Sequence, residues 1–449
     1  MSKERSPFTD AFFVPERRAR SIRAQLLVSH VGITLEQWET THCLRKRRRR
    51  PDDRAKHDRM VEAIICDALH GSLDGRPGIA VSLGKQQRSR YEPRPYAPMR
   101  DLLTRLGPAG TGFLTVEWGT RPEEGKGRRT TFAASPHLLQ LASGFSFADF
   151  GRRAGGEPIV LRNTKTNVAR YQSEALPDPF DTYAETGAEL DQLISYRDSP
   201  LSKRLRDEMH EINEALDNAD LSLNLSPSEA TVDVGDRWLR RVFNNGFADL
   251  RHGGRLFGGF WMGLLKDVRR TAVIIDGEAI AELDYVSMMP RLLYAHLGKT
   301  FPADKDPYAI EGIPSEYRPG VKGLFAALLY GPSALQRWPR GLRKKFPPRL
   351  SLDTAIRLLR NQHPDVAECF GTLVGFELLR MESDILVSVM RSCIAEGITV
   401  LPIHDAVLCP ASAMVRVGDI MLREFQSHTG MRGAISKEGP SEDTLGGQS

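Results

Sequence analysis

The strongest constraint on this chain is a pair of short acidic hairpins. Residues 272–298 read AVIIDGEAIAELDYVSMMPRLLYAHLG. Val273–Ile275 and Ala279–Leu283 have strand composition on either side of Asp276–Gly277, a dipeptide suited to a two-residue hairpin turn. The second strand runs straight into Asp284, and a helix-like stretch follows through Arg291, Leu293 and Leu297. Residues 400–410, VLPIHDAVLCP, repeat the pattern. Val400–Ile403 and Ala406–Leu408 predict two strands meeting at a tight turn that carries His404 and Asp405. Ionisable residues are rare inside apolar runs unless paired or metal-bound. If the strands pair, Asp284 and Asp405 converge on a hard cation from a rigid mounting. Two carboxylates completed by phosphate oxygens and water suit Mg²⁺, with Mn²⁺ as a substitute. Two such ions stabilise the attacking and leaving oxygens of a phosphoryl displacement.

A third element, SEYRPGVKGLFAALLYGPSALQRWPRG, spans residues 315–341. Arg318, Lys322, Ala326 and Tyr330 recur every four residues, which places them on one face of a helix. Two cations one turn apart present a clamp for a triphosphate, Arg as a planar fork and Lys as a point charge. Tyr330 is positioned to lie against a base, and Gly331 ends or bends the helix. The plainer reading of the same pattern is an amphipathic helix with a solvated cationic end.

Taken together these residues resemble the family A DNA polymerases. Asp284-Tyr285 with Arg291 seven residues after the Asp resembles their motif A. Arg318-x3-Lys322-x7-Tyr330-Gly331 resembles motif B, and His404-Asp405 resembles motif C. Upstream, HGGRLFGGFW with Arg255 looks like the Gly-Arg segment that contacts primer–template. The resemblance covers about residues 250–412, in the family's order. It implies an α+β right-hand polymerase fold, with an antiparallel palm sheet and helical fingers and thumb. It implies Asp284, Asp405 and Tyr285 at the metals, and Arg318, Lys322, Tyr330, Met289 and Tyr285 at the nucleotide. Arg255, His404, Tyr330 and Arg291 are implied at primer and template, with Lys322 and Arg318 joining the two aspartates in catalysis.

The chain also departs from that pattern. Met289 stands where the family usually has the Glu that helps exclude the ribose 2′-OH. Ala326 replaces the motif B aromatic, Phe325 the neighbouring Asn, and Ala406 the Glu after His-Asp. Single-subunit phage-type RNA polymerases share the missing aromatic but begin motif A with Asp-Gly. Proofreading is not expected, because Glu117 in LTVEWGT lacks an Asp partner.

With 449 residues the chain is long enough for two or three domains. A formal net charge of +5 is compatible with a polyanionic partner. The five scattered cysteines carry no CxxC spacing, which signals neither a disulfide framework nor a structural zinc site. No run approaches a membrane span and no signal-peptide core opens the chain, so a cytoplasmic, non-membrane protein is expected. Residues 1–155 read as a small N-terminal α/β domain. A helix at Met99–Leu106, a strand at 113–118, a charged tip at 119–128 and a return strand at 129–134 resemble a winged-helix unit. The basic run Arg45–Arg50 reads as a solvated segment or a phosphate-contacting arm. Arg337–Arg349 reads as a template track or a solvated loop. Residues 156–250, with a charged helical stretch at 183–219, are expected to form a thumb-like connector. Residues 251–433 are expected to hold palm and fingers, and 434–449 a disordered tail.

The function expected is therefore extension of a nucleic-acid 3′-OH by a proofreading-free DNA polymerase, of a kind suited to a phage, plasmid or integrated element. Its partners would be nucleoside triphosphates and primer–template DNA, with RNA as the alternative. The alternatives are a primase or RNA polymerase using NTPs, a catalytically idle palm in a DNA-binding replication protein, and a metal-dependent nuclease.

Overall fold

The computed structural model describes residues 11–44, 47–81, 83, 90–91, 96, 98–120, 129–152, 156–162, 193–224, 232–244, 249–331 and 335–440. The chain divides into two compact units, residues 1–157 with 225–238, and residues 158–224 with 239–449. The first unit contains β1 (Ala11–Phe12), β2 (Arg17–Ala19), α1 (Ile22–Thr41), α2 (Pro51–Leu73) and β3 (Ile79–Val81). These are followed by α3 (Met99–Leu106), β4 (Leu114–Glu117), β5 (Thr130–Ala134), α4 (Pro136–Leu141) and β6 (Phe150–Arg152). Its main sheet has the order β1-β3-β5-β4, with β5 antiparallel to both of its neighbours. Val31 and Leu35 of α1, Ile64 and Ile65 of α2, Leu103 of α3 and Phe132 of β5 form its core. The helix and two strands expected at 99–134 are present. Residues 121–128 of the expected tip, and Arg45 and Lys46 of the basic run, lie outside the described residues.

The second unit begins with β7 (Ile159–Arg162), α5 (Pro200–Asn218), β8 (Leu221–Leu223), β9 (Leu239–Asn244) and β10 (Gly253–Gly258). It continues through α6 (Lys266–Ala272), β11 (Val273–Ile275), β12 (Glu278–Tyr285), α7 (Met288–His296) and α8 (Arg318–Tyr330). The final elements are α9 (Leu352–Gln362), α10 (Gly375–Ala395), β13 (Leu401–Ile403), β14 (Ala406–Pro410), α11 (Met414–Thr429) and β15 (Ile435–Glu438). The architecture is thus a mixture of helices with largely antiparallel sheet. The central sheet has the order β13-β14-β12-β11-β8, and β15 also pairs with β12. Among the described residues no helix is long and apolar enough to cross a membrane.

Local chemistry explains the elements that frame the central sheet. Asp276 and Gly277 both take positive φ, 52° and 78°, and close the β11–β12 hairpin as the Asp-Gly signal predicts. Ser199 caps α5, its side chain accepting from the backbone N–H of Ser202, with Pro200 at the first helical position. α10 buries Leu378, Ile385, Leu386 and Val389 and lies against β10, α7 and α11.

Two expectations need correction. Among the described residues of 156–250, the strands β7, β8 and β9 stand beside the helix α5, so the segment is not purely helical. Residues 183–192 of the expected helical stretch lie outside the described residues. Nor is the segment after 433 wholly a tail, since Ile435–Glu438 pair antiparallel with Glu282–Tyr285. The far half of β12 otherwise has an unpaired edge, and its backbone groups need partners. Residues 441–449 lie outside the described residues.

Close approach makes one glycine of α8 a test of this packing. A Cβ on Gly320 would sit 2.0 Å from the carbonyl oxygen of Lys345 and 2.9 Å from the Phe346 ring. Alanine gains about 1 kcal/mol in helix propensity over glycine, but a backbone carbonyl cannot yield cheaply. Gly320→Ala is expected to destabilise the second unit by about 1–3 kcal/mol, read as a lower midpoint in thermal or urea unfolding. An unchanged midpoint would contradict the close approach.

Candidate active site

The candidate site lies where β12 ends beside the β13–β14 turn. β12 and β14 pair antiparallel with Asp284 opposite Ala406, so the neighbouring turn residue Asp405 comes alongside Asp284. The backbone N–H of Tyr285 donates to the Asp405 carbonyl at 3.4 Å, tying strand end to turn. His404 takes φ 55° in that turn, and Ser287, just past the end of β12, takes the same value. Left-handed backbone is uncommon for residues other than glycine and carries a cost that packing must offset. Both acidic segments therefore end in constrained turns.

Asp284 is only partly exposed, and its Oδ1 is buried without a hydrogen-bond partner. Burial, with the Asp405 charge second, pushes its carboxyl up to about 7, against the opposing pull of Lys322. The exposed Lys322 of α8 is thus near enough for its charge to act on Asp284. Among the described residues no group of three or more His, Cys, Asp or Glu side chains is arranged to hold a metal. A pair of carboxylates still fits Mg²⁺, which is commonly bound through one or two carboxylates plus substrate phosphates. The bare, buried Asp284 oxygen is an acceptor of the kind such an ion would use.

Around this pair the structure gathers further expected residues. Arg318, one turn before Lys322, holds Asp306 through Nε at 2.5 Å and Nη2 at 3.0 Å, and its guanidinium lies 5.1 Å from the Tyr308 ring centre. Tyr330 is buried, and its hydroxyl approaches the Met289 sulfur at 3.8 Å. Its ring meets Phe376 edge-on and lies where a side chain on Gly375 would collide with it. The His404 ring meets Phe257 of β10 at 6.2 Å. Arg255, also on β10, is buried and forms a two-pronged pair with Glu382 of α10, Nε–Oε1 2.5 Å and Nη2–Oε2 2.7 Å. Tyr330 and Asp405 are both near enough to act on its charge.

Two expected roles do not match the geometry. Tyr285 points its side chain away from Asp284, as adjacent strand residues must. Its hydroxyl donates to the Met421 carbonyl at 2.7 Å and its ring packs on Phe425, so the side chain belongs to the core. Only its backbone lies at the site. Arg291 is 2% exposed and donates to the carbonyls of Val286, Pro302, Ala303 and Lys305. Its guanidinium braces the loop after α7, and a contact with primer or template would require breaking those bonds.

Sequence reasoning missed Glu382, Asp306 and Tyr308. Glu382 is fully enclosed, and burial outweighs the Arg255 charge, pushing its carboxyl up to about 7 with a further contribution from Asp405. Its signal was available, because Glu382 falls on the apolar stripe of α10 between Leu378 and Leu386. Asp306 and Tyr308 sit in a loop with no periodic signal.

Asp284 has a consequence for stability. A carboxyl raised above its ordinary value of 3.8 binds its proton more tightly in the folded chain. The stability it adds is complete below about pH 4 and lost as pH rises through about 7. Asp284→Asn mimics the protonated form permanently. In chelator-treated protein, the unfolding midpoint of the variant relative to the parent is expected to rise between pH 4 and 7 and then level off. A difference independent of pH would contradict the buried carboxyl. Comparison of the sequence with protein-family models and with curated proteins finds no match, so the chemistry of this site is argued from its geometry.

Proposed function

We propose that the second unit is a template-directed nucleotidyltransferase of the polymerase type, extending a nucleic-acid 3′-OH with nucleoside triphosphates. The observation that carries this reading is the register that sets Asp284 beside Asp405, with Lys322 near enough for its charge to act on Asp284. Two strand-mounted carboxylates and a cationic helix face suit a triphosphate better than a plain nuclease, for which that face has no evident use.

A divalent cation held by Asp284 and Asp405 would supply charge neutralisation at the reacting phosphate and a lowered pKa for the attacking hydroxyl. Lys322 offers a point charge to the triphosphate, and Arg318, whose Nε–Nη2 edge is held by Asp306, offers its remaining donors one turn away. Fixed charges of this kind supply much of the rate enhancement where charge develops in a transition state. Tyr330, with Met289 at its hydroxyl, forms an apolar wall suited to a base and sugar. Met289, which meets the Tyr330 hydroxyl where the resembled family usually carries a glutamate, also favours a second reading, use of ribonucleotides.

The test is incorporation on labelled primer–template and on unprimed template, with Mg²⁺ and either dNTPs or NTPs. Asp284→Ala, Asp405→Ala and Lys322→Ala are each expected to lower the rate by about 10²–10³-fold or more. Extension by either aspartate variant at the parental rate would overturn the assignment. Duplex binding without any incorporation would leave an idle palm, and strand loss without triphosphate would indicate a nuclease.

A further inference from the structure

Two buried ionisable residues of the second unit, Arg291 and His363, take no part in the proposed reaction, and both grip the same loop. Arg291 of α7 is 2% exposed and donates through Nη2 to the Lys305 carbonyl at 3.2 Å, besides the carbonyls of Pro302 and Ala303. His363, which follows α9, is fully enclosed, and its Nε2 meets the Pro307 carbonyl at 2.8 Å. A carbonyl oxygen only accepts, so Nε2 carries the proton. Nδ1 therefore accepts from the Tyr294 hydroxyl of α7 at 3.0 Å, which fixes that tautomer. Burial pushes the imidazole pKa down and keeps the ring neutral. The rings of Tyr294, Phe301 and Phe325 pack round it.

Asp306 stands between the two anchored residues, Lys305 and Pro307. Pro307 adds stiffness, since its ring fixes φ and restricts the residue before it. The backbone N–H of Tyr308 donates to Asp306 Oδ1 at 3.1 Å. A surface Arg–Asp pair is ordinarily worth little, because holding two side chains in one geometry costs most of what the contact gains. Here one partner is already held by its mount. Arg318 has one edge on Asp306, through Nε at 2.5 Å and Nη2 at 3.0 Å, and its guanidinium lies over the Tyr308 ring. Tyr308 is itself buried and meets Phe325 edge-on. With one edge and one face of the guanidinium fixed, the direction of its Nη1 donors is fixed as well.

We propose that Asp306 is the positioning residue for Arg318 in triphosphate binding, and that Arg291 and His363 are the mount that holds Asp306 in place. This rests on the reading of α8 as a triphosphate-binding helix and adds what orders it. A preset guanidinium spares the ligand the entropy of ordering a long side chain, about 2–13-fold in affinity.

The experiment measures the Kd of fluorescently labelled ATP and dATP for the full chain with Mg²⁺, without primer or template, so that no incorporation occurs. Asp306→Glu, at an exposed position, keeps the charge but moves the carboxylate by one methylene. It is expected to weaken binding by about 2–13-fold. His363→Phe keeps a ring among its aromatic neighbours but leaves the Pro307 carbonyl without its donor, and should weaken binding to a similar degree. His363→Gln, whose amide N–H can take the place of Nε2–H, should recover most of that loss. Each effect is expected to vanish, within about 2-fold, in an Arg318→Ala background, because the variants act through that guanidinium. Lowered unfolding midpoints in Asp306→Glu and His363→Phe with a parental Kd would overturn the proposal, making the loop a structural brace only. Equal losses with and without Arg318 would overturn it too. In both cases triphosphate binding by the parent still stands, whereas a parent that binds no triphosphate overturns this inference and the reading of α8 together.

Discussion

The pairing register between β12 and β14 is the constraint on which the candidate site depends. Strand side chains alternate, so a slip of one residue would turn Asp284 into the core and bring Tyr285 to the site. Apolar burial resists that slip, since Leu283, Val407 and Leu408 are wholly enclosed. Tyr285 adds a polar restraint on the opposite face through the Met421 carbonyl. Trp261, also enclosed, donates its indole N–H to the Pro402 carbonyl at 2.9 Å and fixes the outer strand β13. The core side of β12 therefore determines the geometry of its polar end.

The electrostatics at that end are asymmetric. Glu382 and Arg255 form a closed pair, each using the other to offset the loss of water. Asp284 has no such partner among the described residues, and the cation whose charge acts on it, Lys322, stands on an exposed helix surface. A carboxylate left buried and bare costs stability, and such costs persist where the group has other work to do. The same contrast separates α8 from α10. Lys322 of the first is open to solvent, whereas Glu382 of the second is buried against Arg255.

How much of this was legible in the sequence varied with the range of the interaction. The Asp276–Gly277 turn, the His404–Asp405 turn and the limits of α3 and α8 are set by local chemistry, and period and turn residues revealed them. Convergence of Asp284 with Asp405 followed once both strands were recognised. Arg291 was read as a ligand contact because a sequence shows a charge without its partners, and here the partners are distant carbonyls. The strand ISKE escaped notice because it lies almost wholly on the surface and carries no apolar alternation. Its signal was the unmet hydrogen-bonding need of a strand some 150 residues earlier, which no local window contains.

That last strand also bears on how the site comes into being. β12 is paired along one side by residues 406–410 and, at its acidic end, along the other by residues 435–438. Each pairing closes a loop of well over a hundred residues, an entropic cost met only when the whole sheet docks. During synthesis the helices between them can form early, because their contacts are local. The aspartate pair cannot be set until residues near 410 have left the ribosome, and the other edge of β12 is covered only once residues near 438 follow. Until then, two strongly apolar strand segments and an ionisable edge wait unpaired, so the candidate site is among the last parts of the second unit to assemble.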